Sequence, residues 1–200
     1  MSRKVRRVPV ELDAGDIRQL PENELRAILR GADELIMRGG RSLLAKVLRG
    51  SRMRKVLELG LDRSPAYGRF RDLPENEVMA RIDWVIMQGY LSIEYDYRLP
   101  LLAYTARGWE IEMETFASEL LDGFEELLLA GPPYEMQYLK DRNRRMIMFL
   151  LDKVEASGDV RYIPLLEAWQ KIDYKKVAQR IEQVVERLEP GRISHDGVDR

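Results

Sequence analysis

The sequence predicts a mainly α protein that carries one small β-hairpin. Three observations lead there. Apolar residues recur at i, i+3, i+4 and i+7 through most of the chain, the spacing of a single buried helix face. One stretch alone, Tyr90 to Thr105, switches to a period of two. A composition of 45% hydrophobic and 34% charged residues over 200 residues is that of a globular chain, long enough for one good-sized domain or two small ones.

The elements follow in order. A basic, strand-like lead, VRRVPVEL, precedes a helix opened by Pro21 and running to Met37, with Leu25, Ile28, Leu29, Ala32 and Leu35 on its inner face. Gly39-Gly40 is its stop. A short helix, SLLAKVLR, ends at Gly50-Ser51, and RMRKVLELG reads as another with Gly60 past its end. Pro74 opens a longer helix with Val78, Ile82, Val85 and Ile86 inward, closed by Gly89. Trp84 reads as core packing. Then Tyr90 to Tyr95 alternates, Asp96-Tyr97-Arg98 turns, and Leu99 to Thr105 is β-rich again, with Pro100 marking an edge or a late start. Beyond it, helices are predicted over 116–130 and 136–156, after Pro164, and over 174–188. The motif LPENE, at 20–24 and 73–77, reads as a reused helix start and not as a repeat.

Charge is sorted along the chain. Residues 1–109 hold 20 Lys and Arg against 15 Asp and Glu, and residues 110–200 hold 13 against 19. The segment 38–55, RGGRSLLAKVLRGSRMRK, carries Arg38, Arg41, Lys46, Arg49, Arg52, Arg54 and Lys55 without one acid. From Trp109 to Glu135 there are eight acids and no base. Sorted basic charge is what a polyanion partner requires.

Several function classes are excluded on residue inventory. Cysteine is absent and the only histidine is His195, in a polar tail. Disulfide scaffolds, Cys/His zinc sites, thiol nucleophiles and histidine-dependent triads are therefore closed. No glycine-rich phosphate loop of the G-x-x-x-x-G-K-S/T type occurs, and no carboxylate cluster suits a metal nuclease. No apolar run spans a bilayer, and Met1 to Arg7 lacks the apolar core of a signal peptide. The expectation is a non-enzymatic cytoplasmic protein with no cofactor, no metal and no membrane partner.

Three helices followed by a hairpin is the order of a winged helix, and the residues carry a more specific likeness. The stretch Arg38 to Glu112 resembles the RQC domain, the winged helix of RecQ-family helicases. Leu43 to Ser51 (LLAKVLRGS) is similar to that family's "vLrGS" segment. Arg54-Lys55 follows as its basic pair, and Ala66-Tyr67-Gly68 stands where the family has a "YG" turn. Ile86 to Leu91 matches "Li..G.L", and Tyr104 to Gly108 (YTARG) resembles "LT..G". The likeness implies duplex DNA binding through the backbone and the wing. It does not bring ATP-driven unwinding, because the phosphate loop and the four-cysteine zinc module of those helicases are missing. The chain resembles a free-standing relative.

By that resemblance Ser51 and Lys55 meet the duplex backbone, and the hairpin tip wedges against a duplex end. Ser51 also reads from the residues as a cap of the following helix that leaves N–H groups outward. It is either a phosphate ligand or a cap alone. Tyr97 is either a stacking residue or part of a solvated turn, and Arg98 a phosphate contact or solvated, with Asp96 adverse at the tip. The candidate DNA-binding residues are Arg38, Arg41, Arg49, Ser51, Arg52, Arg54, Lys55, Tyr97 and Arg98. The helix 75–88 reads as a poor DNA face, since Glu75, Glu77 and Asp83 oppose Arg81 alone.

The predicted organisation is a basic lead over 1–20, an RQC-like winged helix over 21–112, a helical module over 113–189 and a flexible tail over 190–200. The module is similar to HEAT repeats, or else caps the core. Function is expected to be non-catalytic binding of DNA, with duplex ends, forks or other structured DNA as candidates. The alternative is a protein–protein adaptor that docks a helicase or another partner through its acidic and C-terminal helices.

Overall fold

The computed structural model describes residues 7–189; residues 1–6 of the predicted lead and the tail 190–200, with His195, lie outside the described residues. The chain divides between Glu112 and Met113 into two compact units. The fold is mainly helical with one two-stranded antiparallel hairpin.

The first unit runs α1 (Glu22–Ala32), α2 (Arg41–Leu48), α3 (Arg54–Glu58), α4 (Glu75–Met87), β1 (Leu91–Asp96) and β2 (Leu99–Tyr104). Its core is the apolar face anticipated from periodicity: Ile28, Leu29, Leu44, Leu48, Val78, Ile82 and Val85 are fully buried, with Leu91 and Leu102 from the hairpin. Trp84 is buried, stacked on Tyr90 at 6.2 Å, and donates its indole N–H to Arg18 O. Pro100 sits within β2 opposite Tyr95.

The first helix is shorter than predicted. It ends at Ala32, passes through a 3-10 turn at Asp33–Leu35, and the chain then extends. Met37 N donates to Leu102 O at 2.8 Å, and Leu102 N to Gly39 O at 2.9 Å. The segment read as a helix stop is thus a turn tied by two backbone hydrogen bonds to β2, a contact more than sixty residues away that local periodicity does not encode. The lead also departs from prediction. It forms no regular strand among the described residues, but Val8 N donates to Arg98 O and Tyr95 Oη donates to Val8 O, which braces the wing.

A second correction concerns α5, which spans Ala106–Ala130 and starts ten residues before the predicted 116. Thr105 sets that start: its Oγ1 donates to the Gly89 carbonyl at 2.7 Å and accepts from Gly108 N at 3.1 Å. Gly108 then lies so close to β1 that a Cβ there would stand 1.9 Å from Tyr90 O. The YTARG motif therefore ends the hairpin at Tyr104, caps α5 through Thr105, and seats Gly108 against the backbone of Tyr90.

The second unit holds the C-terminal part of α5 with α6 (Arg144–Ser157), α7 (Ile163–Gln170) and α8 (Lys175–Leu188). Phe124, Leu150, Val154, Leu166, Trp169, Ile181 and Val184 are fully buried there. Phe124 meets Trp169 edge-on at 6.1 Å. The helix predicted from 136 starts at Arg144, because Asn143 Oδ1 accepts from the N–H groups of Arg145 and Met146 and caps it.

Candidate nucleic-acid interface

The basic segment 38–55 runs from the turn tied to β2 through all of α2 to the first two residues of α3, and its seven cations meet different fates. Three of them clamp α2 to its neighbour. Arg41 Nη1 donates to both Asp83 oxygens at 2.7 and 2.6 Å, and Asp83 also accepts from Asp13 N at 3.0 Å. Lys46 Nζ donates to Glu75 at 2.8 and 2.9 Å. Arg49 Nε donates to Leu73 O at 3.1 Å, and its Nη1 lies 3.5 Å from the same Glu75. The bonded Lys46 ammonium holds the Glu75 carboxyl below the usual carboxylate range.

Arg41 and Arg49, expected as DNA contacts, act in this structure as helix–helix clamps. The acids that neutralise them arrive from α4, beyond the acid-free stretch. Asp83 is reassigned with them: it is buried under Arg41 and faces no DNA. Arg54 pairs with Glu58 one turn on, an exposed bridge worth a few tenths of a kcal/mol that releases readily to a phosphate.

Arg38, Arg52 and Lys55 are exposed and have no acid partner among the described residues. Arg52 and Lys55 flank the link between α2 and α3. That link is shaped by two glycines from separate motifs: both have positive φ, and a Cβ on Gly50 would lie 3.1 Å from Gly68 Cα. Phe70 N donates to Leu48 O at 2.7 Å and secures the same junction. Arg69, exposed and next to Gly68, is carried to it as well. Charge patterning does not find Arg69, which lies outside the acid-free run; only the glycine contact brings it to Ser51.

Ser51 is corrected in its local role. Its Oγ accepts from Met53 N at 3.3 Å in a two-residue turn, whereas the N-cap of α3 is Met53 with no side-chain cap bond. α3 has only five residues, too few to present a developed helix dipole.

The wing tip is the second cluster. β1 and β2 pair through Asp96 opposite Leu99, leaving Tyr97 and Arg98 as a two-residue turn. Tyr97 is 72% exposed with φ of +54°, and Leu99 beside it is 60% exposed. A positive φ at the first central position alone is the pattern of a II′ turn, where glycine is the favoured residue. A tyrosine there carries on the order of 1 kcal/mol of strain. Arg98 is exposed at the same tip, and the Arg7 guanidinium lies 4.8 Å over the Tyr95 ring behind it.

Residues 21–117, just under half of the chain, match the family model described as the RQC domain. They form an RQC-like winged-helix domain. The match extends further at both ends than the motif likeness at 38–112, and takes in α1 and the start of α5. An RQC domain points to DNA binding, as the exposed cations and the wing of this one do. Neither a curated protein nor a solved structure matches the chain significantly. Among the described residues no helix is long and apolar enough to cross a membrane, and no group of three or more acids or histidines could hold a metal ion.

Within the RQC-like domain, α4 occupies the recognition-helix position. Its acids are spent inside the domain: Glu75 on Lys46 and Arg49, Asp83 on Arg41, and Glu77 on Arg81, which also binds Glu24 at 2.9 Å. No unpaired cation stands on α4 among the described residues, so the helix lacks the groups that read guanine edges. Arg52 and Lys55, by contrast, stand exposed at the α2–α3 link. Replacing Arg52 and Lys55 together by alanine is expected to flatten log K against log salt by about 2, near 0.9 for each phosphate no longer neutralised, in a fluorescence-anisotropy titration on duplex DNA. An unchanged slope removes this link from the interface.

Proposed function

We propose that the protein is a non-catalytic DNA-binding protein that engages duplex ends or forks. The α2–α3 link, with Arg52, Lys55 and Arg69, holds backbone phosphate, Arg38 adds an exposed cation before α2, and the wing tip meets the terminal base pair. The observation that carries the reading is Tyr97: a large aromatic, exposed on a braced hairpin, in a backbone conformation that a glycine would adopt without strain. A chain that keeps a strained aromatic in solvent at a hairpin tip has a use for its face. A tip can stack only where a terminal pair offers an open face, and internal pairs offer none.

Titration against blunt duplex, fork, single strand and four-way junction at two salt concentrations tests this directly. Tyr97→Ala is expected to weaken binding to ends and forks by about 5- to 150-fold, the loss of one stack of ~1–3 kcal/mol, and to leave internal duplex nearly unaffected. Tyr97→Gly relieves the turn strain and should raise stability by about 1 kcal/mol while losing the same end preference, which separates the tip from the fold. Arg98→Ala is expected to weaken both substrates alike, since backbone charge is the same at ends and interior. Equal affinity of Tyr97→Ala for every substrate would sink the pin.

Non-catalytic action is part of the proposal. Purified protein with ATP and Mg²⁺ is expected neither to hydrolyse nucleotide nor to cut or unwind DNA, because the sequence offers no glycine-rich phosphate loop. Turnover that co-purifies with the chain through two columns would overturn it.

A further inference from the structure

We propose that the helical unit carries a second nucleic-acid contact, a cleft at the N-terminal ends of α6 and α8 that takes backbone phosphate. The inference rests on the DNA-binding reading above. The cleft encloses about 280 Å³ and is lined by Lys140, Arg142 and Arg144, by Asp141 and Asp173, and by Tyr174. Over residues 113–189 acids outnumber bases, yet Lys140, Arg142, Arg144, Arg145, Lys175 and Lys176 gather on the two short segments that bound this cleft. Positive charge concentrated in one place on an acidic unit calls for an anion.

Among the described residues, Arg142 and Lys140 are held by aromatic rings and not by acids. The Arg142 guanidinium lies 4.9 Å over the Phe116 ring and donates to Tyr138 O, and the Lys140 ammonium lies 5.4 Å from the Tyr174 ring. Arg144, Lys175 and Lys176 are exposed with no acid partner among the described residues. The two acids accept from neutral donors and keep their charge, Asp173 from Trp169 Nε1 and Tyr174 N, both at 2.6 Å, and Asp141 from Tyr174 Oη at 3.3 Å, so the lining cations outnumber them three to two. Arg144 in the first turn of α6 and Tyr174, the N-cap of α8, line the same space. No side chain caps α8, so its first N–H groups add partial positive charge.

The aromatic decides between nucleic acid and an acidic peptide. Tyr174 is 54% exposed among the cations, and a ring beside a cationic track holds nucleotides where bases are unpaired, as at a fork or a frayed duplex end.

Amide NMR of the full chain, titrated separately with a short duplex, with inorganic phosphate and with a polyglutamate peptide, tests the cleft. The expected result is that the amides of Arg144, Lys175 and Lys176 shift with micromolar duplex. Shifts with inorganic phosphate alone would leave a small-anion site, and shifts with polyglutamate alone a peptide site; either overturns the proposal. Duplex-induced shifts at Arg52, Lys55 and Tyr97 with none at the cleft overturn it while the reading of the winged helix stands. No shift at either place ends both. In parallel, the triple variant Lys140→Gln, Arg144→Gln, Lys175→Gln is expected to flatten the salt slope by about 2–3, and Lys153→Gln, outside the cleft, to leave it unchanged. An unaltered slope for the triple variant overturns the proposal.

Discussion

Gly108→Ala is expected to cost the N-terminal unit about 3 kcal/mol or more, or to prevent its folding. A Cβ at this position meets Tyr90 O at 1.9 Å and Tyr90 C at 2.8 Å. Both are backbone atoms of the turn that leads into β1, so no rotamer can relieve the clash, and α5 must lift away from the hairpin. Lifting it also strains the Thr105 cap and the Arg107 guanidinium, which lies 4.0 Å over the Tyr90 ring. Gly123, in the interior of the same helix, has nothing within 4 Å of a built Cβ. Gly123→Ala is therefore expected to stabilise by about 1 kcal/mol through helix propensity. Urea unfolding of the two variants beside the parent checks both signs. A Gly108→Ala protein with parental stability would mean that α5 does not begin against β1.

Arg41→Ala is expected to destabilise the winged helix by about 3 kcal/mol and to leave the salt slope of DNA binding unchanged. Its guanidinium binds both oxygens of Asp83, a residue 3% exposed whose one other donor among the described residues is a backbone N–H. Removing one partner of a buried pair strands the other charge, which costs far more than the pair itself contributes. Asp83→Ala on its own should also be destabilising, but the double variant should recover part of the loss, because it buries no lone charge. Arg52→Ala is expected to give the opposite pattern, with parental stability and a flatter slope. A flattened slope for Arg41→Ala at parental stability would return this residue to the DNA interface.

These two residues mark how far the sequence could be read. Both belong to segments that stand out along the linear chain, Gly108 in YTARG and Arg41 in the acid-free run. The hairpin, the apolar faces of α1 and α4 and the RQC likeness were legible, because each rests on neighbours within one or two helical turns or on an ordered string of short motifs. Tyr97 and Arg98 were legible for the same reason: a two-residue turn between alternating strands exposes what it contains.

The sequence alone determined the order of helices and hairpin, where the apolar faces of the main helices lie, and that an RQC-like string of motifs runs along the first unit. The tertiary structure decided which charges remain for a partner. Arg41, Lys46 and Arg49 find acceptors 42, 29 and 24 residues further on, in α4 and the turn before it. It also decided that Gly39 pairs with Leu102, that Gly50 rests on Gly68, and that α5 starts directly after Thr105. The physical reason is range. Helical periodicity and turn chemistry act over a few residues and are written locally, whereas an ion pair forms wherever packing brings opposite charges within about 4 Å, and no local pattern specifies that meeting.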